Sequence, residues 1–141
     1  MLTLQATKVR QEWSSVCDDV VRDKPAMITR TRDRMWLSNL DVMQTILEAY
    51  QFTAERFQEE DGSITLSLNE IDLVENGKDL EDAKKKMGQA ILDYAEEYYE
   101  NYALYTHAPN RKGHIPYVFK ALITNDAEQI GGSIRCRDGR N

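Results

Sequence analysis

Four arginines of this chain are grouped around a short predicted hairpin and the helix before it. Arg10 falls in the first turn of that helix, and Arg30, Arg32 and Arg34 alternate along the hairpin. A guanidinium group can hold a pair of phosphate oxygens or the O6/N7 edge of guanine, so several arginines on one rim suit a DNA backbone or groove edge. The alternative is a solvated hairpin whose arginines form ordinary salt bridges with neighbouring aspartates.

The hydrophobic pattern of the first fifty residues predicts the elements that position these arginines. A strand pattern at residues 2–5 is followed by an apolar helical stripe from Val9 to Val21. Two short β-prone runs then flank a turn at Arg32-Asp33, which is the spacing of a hairpin. Ser38 is expected to cap a second helix. Residues 1–50 are therefore predicted to form a β-α-β-β-α module.

A second unit is predicted for residues 51–124. Strands at residues 52–58 and 63–69 flank a turn with Gly62, and Asp79 is expected to cap a long helix that runs to about residue 105. A short final helix is expected at residues 115–123. Residues 125–141 contain Gly131-Gly132 and are predicted to be a mobile tail. The predicted fold class is α+β: a βαββα module, then a ββα module with a long helix and a short final helix.

The charge balance gives a nucleic-acid function no general support. The net charge is −6, and residues 1–50 carry seven Lys and Arg against seven Asp and Glu. Any DNA binding must therefore depend on how the arginines cluster. The N-terminus lacks the pattern of a signal peptide and no long apolar stretch occurs, so a cytoplasmic location without membrane contact is expected. Cys17 and Cys136 lie far apart and are predicted to be free thiols.

No pattern in the sequence indicates catalysis. A nucleophile elbow, a glycine-rich phosphate loop, an HExxH motif and paired cysteine ligands are all missing. His107 and His114 flank a loop with the basic pair Arg111-Lys112, but a metal site would need more ligands at firmer spacing. We expect no enzyme activity, no catalytic residues, no metal and no cofactor. A small nuclease or other hydrolase would have to use one of these two histidines.

Residues 1–50 resemble the N-terminal domain of the Phd/YefM antitoxin family. The resemblance lies in the order of elements, in the Arg10-Gln11 pair, in the Ile28-Thr29-Arg30 strand end and in the Leu37-Ser38 helix entry. It implies a domain that dimerises through its sheet and first helix, with Arg10 and Arg30 facing operator DNA. Lys8 and Arg32 would be flanking phosphate contacts. The family often has glycine in the hairpin turn, where this sequence has Asp33.

Residues 51–124 resemble the HicB-type antitoxin fold more weakly, in element order and in the start of the long helix. Acidic residues along this helix could face a basic, RNA-binding toxin, although a solvated helix face is the simpler interpretation. Tyrosines along it suit an interface or a packed core. The predicted partner-binding residues are Tyr94, Tyr98, Tyr102 and Glu97.

These observations together predict an antitoxin-like transcriptional repressor of a type II toxin-antitoxin system. The chain would bind operator DNA as a homodimer, because two identical modules match two inverted half-sites. It would also neutralise a cognate toxin by direct protein contact. The alternative is a protein-interaction or dimerisation module that does not bind DNA.

Overall fold

The computed structural model describes residues 1–139, which divide into two compact units that meet between Ile46 and Leu47. The mixture of sheets and helices confirms the predicted α+β class. The first unit contains, in order, β1 (Thr3–Gln5), α1 (Ala6–Gln11), α2 (Trp13–Arg22), β2 (Ala26–Arg30), β3 (Asp33–Leu37) and all but the last residue of α3 (Leu40–Leu47).

The first unit is a three-stranded sheet in the order β1-β2-β3 with α1 and α2 on one face. β1 pairs parallel with β2, and β3 pairs antiparallel with it. The small core contains Val9, Val16, Val20, Ala26 and Ile28. One continuous first helix was predicted, but the helix is interrupted at Glu12, whose φ of −117° and ψ of 31° lie outside the helical region.

Two local predictions in this unit were wrong. The hairpin turn consists of Thr31 and Arg32, because Arg30 and Asp33 already form a strand pair. The cap of α3 is Asn39, whose side-chain oxygen accepts a hydrogen bond from Val42 N at 3.1 Å, while the Ser38 hydroxyl donates to the Asn39 carbonyl. Asparagine is as good a helix N-cap as serine, so a shift of one residue leaves the helix start equally well satisfied.

The second unit packs helices against one face of a four-stranded sheet in the order β6-β5-β4-β7. Its elements are β4 (Thr53–Gln58), β5 (Ile64–Leu68), β6 (Val74–Gly77), α4 (Leu80–Glu100), α5 (Tyr102–Thr106), a 3₁₀ turn (Lys112–His114), α6 (Ile115–Thr124), α7 (Ala127–Ser133) and β7 (Arg135–Asp138). The predicted cap of α4 is confirmed, since the Asp79 side chain accepts from Asp82 N at 2.8 Å.

The predicted mobile tail is wrong for the residues described. Residues 127–138 form α7 and β7, and β7 pairs parallel with β4. Residues 140 and 141 of that prediction lie outside the described residues. A third strand that was not predicted, β6 at Val74–Gly77, precedes the long helix, and that helix ends at Glu100 before a separate α5, where it was predicted to run to about residue 105.

Two glycines allow α7 to lie against α4. A Cβ on Gly88 would lie 2.1 Å from the Ala127 carbonyl oxygen, and one on Gly131 would lie 2.4 Å from the Lys84 carbonyl oxygen. The backbones of α4 and α7 therefore approach closely where these glycines meet. This contact holds α7 against α4. Within residues 1–139, no helix is both long and apolar enough to cross a membrane.

Candidate functional site

The four predicted DNA contacts lie on two segments of the first unit: Lys8 and Arg10 in the last turn of α1, where a first-turn position was predicted for Arg10, and Arg30 and Arg32 at the hairpin that follows β2. β1 and β2 run parallel with Gln5 beside Thr29, so both strands end at the same edge. Helix α1 begins directly after β1, and the hairpin turn comes directly after β2. We call the four exposed cationic side chains on these two segments the arginine rim: Lys8, Arg10, Arg30 and Arg32.

One carboxylate lies within the arginine rim. Nη2 of Arg30 is 3.4 Å from Oδ2 of Asp33, and the two side chains are 72% and 67% exposed. An ion pair this exposed contributes little, because water screens both groups and both side chains lose rotamer freedom. Arg30 can therefore exchange Asp33 for another anion at small energetic cost.

The hairpin turn that presents Arg32 carries backbone strain. Thr31 has a φ of 56°, in the left-handed region that β-branched residues rarely adopt. The two-residue connection fixes the register of β2 and β3, and it places the side chains on either side of the turn close together. The hairpin turn therefore places a strained threonine directly before Arg32.

The predicted partner-binding tyrosines do not share one surface. Tyr98 is fully buried and its hydroxyl donates to the Arg111 carbonyl at 2.8 Å, so its prediction as a contact residue is wrong for the folded chain. Tyr94 is half-buried, with its hydroxyl 2.7 Å from Nδ1 of His114. Tyr102 is 40% exposed and remains available. Burial raises the pKa values of Tyr94 and Tyr98, so both phenols stay protonated.

Arg111 ties the loop after α5 to this cluster. Its guanidinium carbon lies 4.2 Å from the ring centre of Tyr105, a cation-π distance. The Tyr105 hydroxyl in turn donates to Oε1 of Glu97 at 2.8 Å. Burial and the neighbouring Arg111 lower the pKa of His114, which keeps its imidazole neutral and able to accept from Tyr94. Glu97 and Arg111 thus hold α4, α5 and the following loop together.

Sequence reasoning missed several exposed apolar side chains. Tyr99 and Leu104 are 60% and 70% exposed near the end of α4 and in α5. Trp36, a large aromatic residue on β3, is 48% exposed. The helical phase could have separated Tyr99 from Tyr98, because successive residues lie about 100° apart around a helix.

The similarity to known proteins extends over almost the whole chain. Residues 1–136 match the PHD_like family model, described as antitoxin of toxin-antitoxin, RelE / RelB, TA system. No curated protein matches the chain. The chain is also similar to the crystal structure of an antitoxin part of a candidate toxin/antitoxin system from Syntrophomonas wolfei subsp. wolfei, with 32% identity and a TM-score of 0.92. That match covers 99% of this chain and 100% of the other.

Proposed function

Because the chain belongs to the family of antitoxins of RelE/RelB toxin-antitoxin systems, we propose that it is a cytoplasmic antitoxin that also represses transcription. In this proposal a homodimer related to the Phd/YefM type binds operator DNA through the arginine rim. The same chain neutralises a cognate toxin by direct protein contact, in a regulatory and not a catalytic role. The observation that carries the proposal is the arginine rim itself, four exposed cationic side chains on α1 and on the β2-β3 hairpin of the first unit.

DNA binding requires side chains that can leave their intramolecular partners. Within residues 1–139 the one ion pair that involves the rim is between Arg30 and Asp33, and it is exposed and long. Phosphate groups outcompete such a pair because a charge-assisted guanidinium contact is stronger and often bidentate. Although residues 1–50 are formally neutral, the rim would thus present locally clustered cationic side chains to a duplex.

Exposed apolar surface on the first unit supports the homodimer. Trp36 lies opposite Met27 in the β2-β3 register, on the sheet face away from the buried Ala26 and Ile28. The core of this unit buries four large apolar side chains and Ala26, whereas eight large apolar side chains are exposed. The exposed ones are Met1, Leu2, Trp13, Val21, Met35, Trp36, Leu40 and Ile46. A unit this small gains stability when a second copy covers such surface.

The DNA proposal is tested with a labelled duplex taken from upstream of the chain's own gene. The Arg10→Ala, Arg30→Ala variant is expected to lose at least about 100-fold in affinity at low salt, because a dimer loses contacts in both half-sites. The matched control is Arg22→Ala, Lys24→Ala, which removes the same charge before β2 begins, at its other end. Rim and control variants that bind equally well would end the proposal.

The dimer proposal has its own test. Trp36→Lys is expected to shift the protein from dimer to monomer in analytical ultracentrifugation, because a charge replaces an aromatic at the covered face. Val74→Lys is the control, since Val74 is 59% exposed but lies in the second unit. A wild-type protein that sediments as a monomer at micromolar concentration would contradict the dimer.

The second candidate is an interaction module that does not bind DNA. The carboxylate of Asp33 within the rim favours it, because this group repels phosphate. In that case the rim would bind an acidic protein instead. Raising the salt concentration separates the two, since DNA affinity falls steeply as phosphate contacts release counterions, whereas protein contacts with an apolar component depend on salt less.

A further inference from the structure

A second exposed surface lies where α4 ends and α5 begins. Tyr99, Tyr102 and Leu104 are 60%, 40% and 70% exposed, so three large apolar side chains face water within six residues. Single exposed apolar residues are ordinary, whereas three in one short segment favour an interaction site. We call the following exposed residues the acidic-aromatic surface: Glu96, Tyr99, Glu100, Tyr102 and Leu104.

The charge of this segment has one sign. Residues 87–110 contain no lysine or arginine, and they carry Asp93, Glu96, Glu97 and Glu100. Among the side chains of residues 1–139, Glu96 and Glu100 take part in no ion pair, and they are neighbours at i,i+4 on the helix. Two like charges at this spacing destabilise the helix slightly, and a cationic partner would relieve the repulsion.

The cluster beneath the surface fixes its geometry before any partner arrives. Tyr98 is fully buried and hydrogen-bonded to the Arg111 carbonyl, and Tyr105 joins Glu97 to the Arg111 guanidinium. Tyr102 packs edge-on against Phe119 with ring centres 6.0 Å apart. The helix end is therefore ordered by internal contacts, and a partner need not supply the free energy of ordering it.

We propose that the acidic-aromatic surface is the docking site for the toxin, as a preformed surface that receives a lysine- and arginine-rich face with an apolar centre. This inference rests on the toxin neutralisation given under the proposed function. Nucleic acid is disfavoured as the occupant because the carboxylates repel phosphate. A second copy of this chain is disfavoured because a two-fold contact would place the same carboxylates against each other.

The test uses the full-length chain and the protein encoded by the neighbouring reading frame, with affinity measured by calorimetry. Tyr99→Ala, Leu104→Ala is expected to weaken binding about tenfold or more, since exposed aromatic and aliphatic anchors dominate interface energies. Glu96→Lys, Glu100→Lys is expected to weaken binding by at least as much, and this loss of affinity should grow as the salt concentration is lowered. Val74→Ala and Glu59→Lys, Glu60→Lys are matched controls at exposed positions elsewhere in the second unit.

Each outcome has a definite meaning. Loss of affinity in both surface variants, with both controls near wild type, supports the inference. Surface variants that bind as tightly as wild type overturn it, while the proposed function stands. A wild-type chain that does not bind the neighbouring protein at all overturns the neutralisation proposal as well.

Hydrogen exchange tests whether the surface is preformed. The amides of α4 up to Glu100 are expected to be protected to the same degree in the free and bound chain. Protection that arises only in the complex would show coupled folding and would contradict a preformed surface.

Discussion

The contact between α4 and α7 makes a sharp prediction for Gly88→Ala. A Cβ at this position would lie 2.1 Å from the Ala127 carbonyl oxygen and 2.7 Å from Gly131 N. Ordinary contacts of this kind are at least 3.4 Å. Both neighbouring atoms belong to the backbone of α7, so no side-chain rotation can relieve the clash and α7 must move away.

The size of the effect follows from two opposing contributions. Overpacking a close contact costs about 1 to 3 kcal/mol or more, and an immovable backbone neighbour places this site at the upper end. Alanine recovers about 1 kcal/mol over glycine in a helix interior. We expect the free energy of unfolding of the second unit to fall by about 2 kcal/mol, which lowers its melting temperature by about 8 to 16 °C for a unit of this size.

The assay is thermal unfolding followed by far-ultraviolet circular dichroism, with Gly132→Ala as the matched control. A Cβ on Gly132 would meet no atom within 4 Å, so this variant keeps the helix propensity gain without the clash. It should melt at or slightly above the wild-type temperature. If Gly88→Ala melts within about 2 °C of wild type, the close approach of the two helices is refuted.

Three further predictions concern single residues. Thr31→Gly should raise the free energy of unfolding of the first unit by about 0.5 to 1 kcal/mol in urea titrations, because it relieves the left-handed strain; an unchanged midpoint would contradict that strain. Asp79→Ala should lower the free energy of unfolding of the second unit by about 1 kcal/mol, whereas Asp79→Asn should leave it almost unchanged. Equal losses of stability in the two variants would exclude the capping role. The pKa of His114 in the folded chain lies below its ordinary value of 6.5, so below pH 6.5 the unfolded chain takes up a proton on this imidazole more readily than the folded chain does. The free energy of unfolding should therefore fall as the pH drops from 6.5 through the folded pKa. His114→Asn should remove that part of the pH dependence, and an identical pH profile would rule out His114 as its source.

Local signals in the sequence were enough for most of the elements. The Asp79 cap is confirmed, and the helix predicted at residues 115–123 does begin near Pro116, as the fixed φ of proline favours, although α7 follows it. Capping and proline effects depend on neighbouring residues alone, so they can be predicted without the fold. The order of elements in the first unit followed from hydrophobic periodicity in the same way.

Long-range packing explains what the sequence could not predict. Gly131-Gly132 has the composition of a mobile segment, but close contact with Gly88 makes glycine at position 131 a requirement of α7. The strand at Val74–Gly77 contains Asn76 and Gly77, which favour turns, and its pairing with β5 overrides that preference.

The two candidate sites differ in the same way, since one follows from local sequence patterns and the other from packing. The elements that carry the arginine rim could be predicted, because the helix after β1 and the hairpin after β2 follow from local hydrophobic patterns. The partner surface required the structure, since Tyr98 and Tyr99 are adjacent in sequence and only helical phase and burial separate the core residue from the exposed one.

The salt dependence of operator binding tests the central claim most directly. If the four rim residues of each of two protomers contact phosphates, the logarithm of the binding constant should fall with the logarithm of salt concentration at a slope of about −7. The Arg10→Ala, Arg30→Ala variant should roughly halve that slope, to about −3.5. A variant with the wild-type slope, or a wild-type chain that does not bind its own upstream DNA at low salt, would contradict the account.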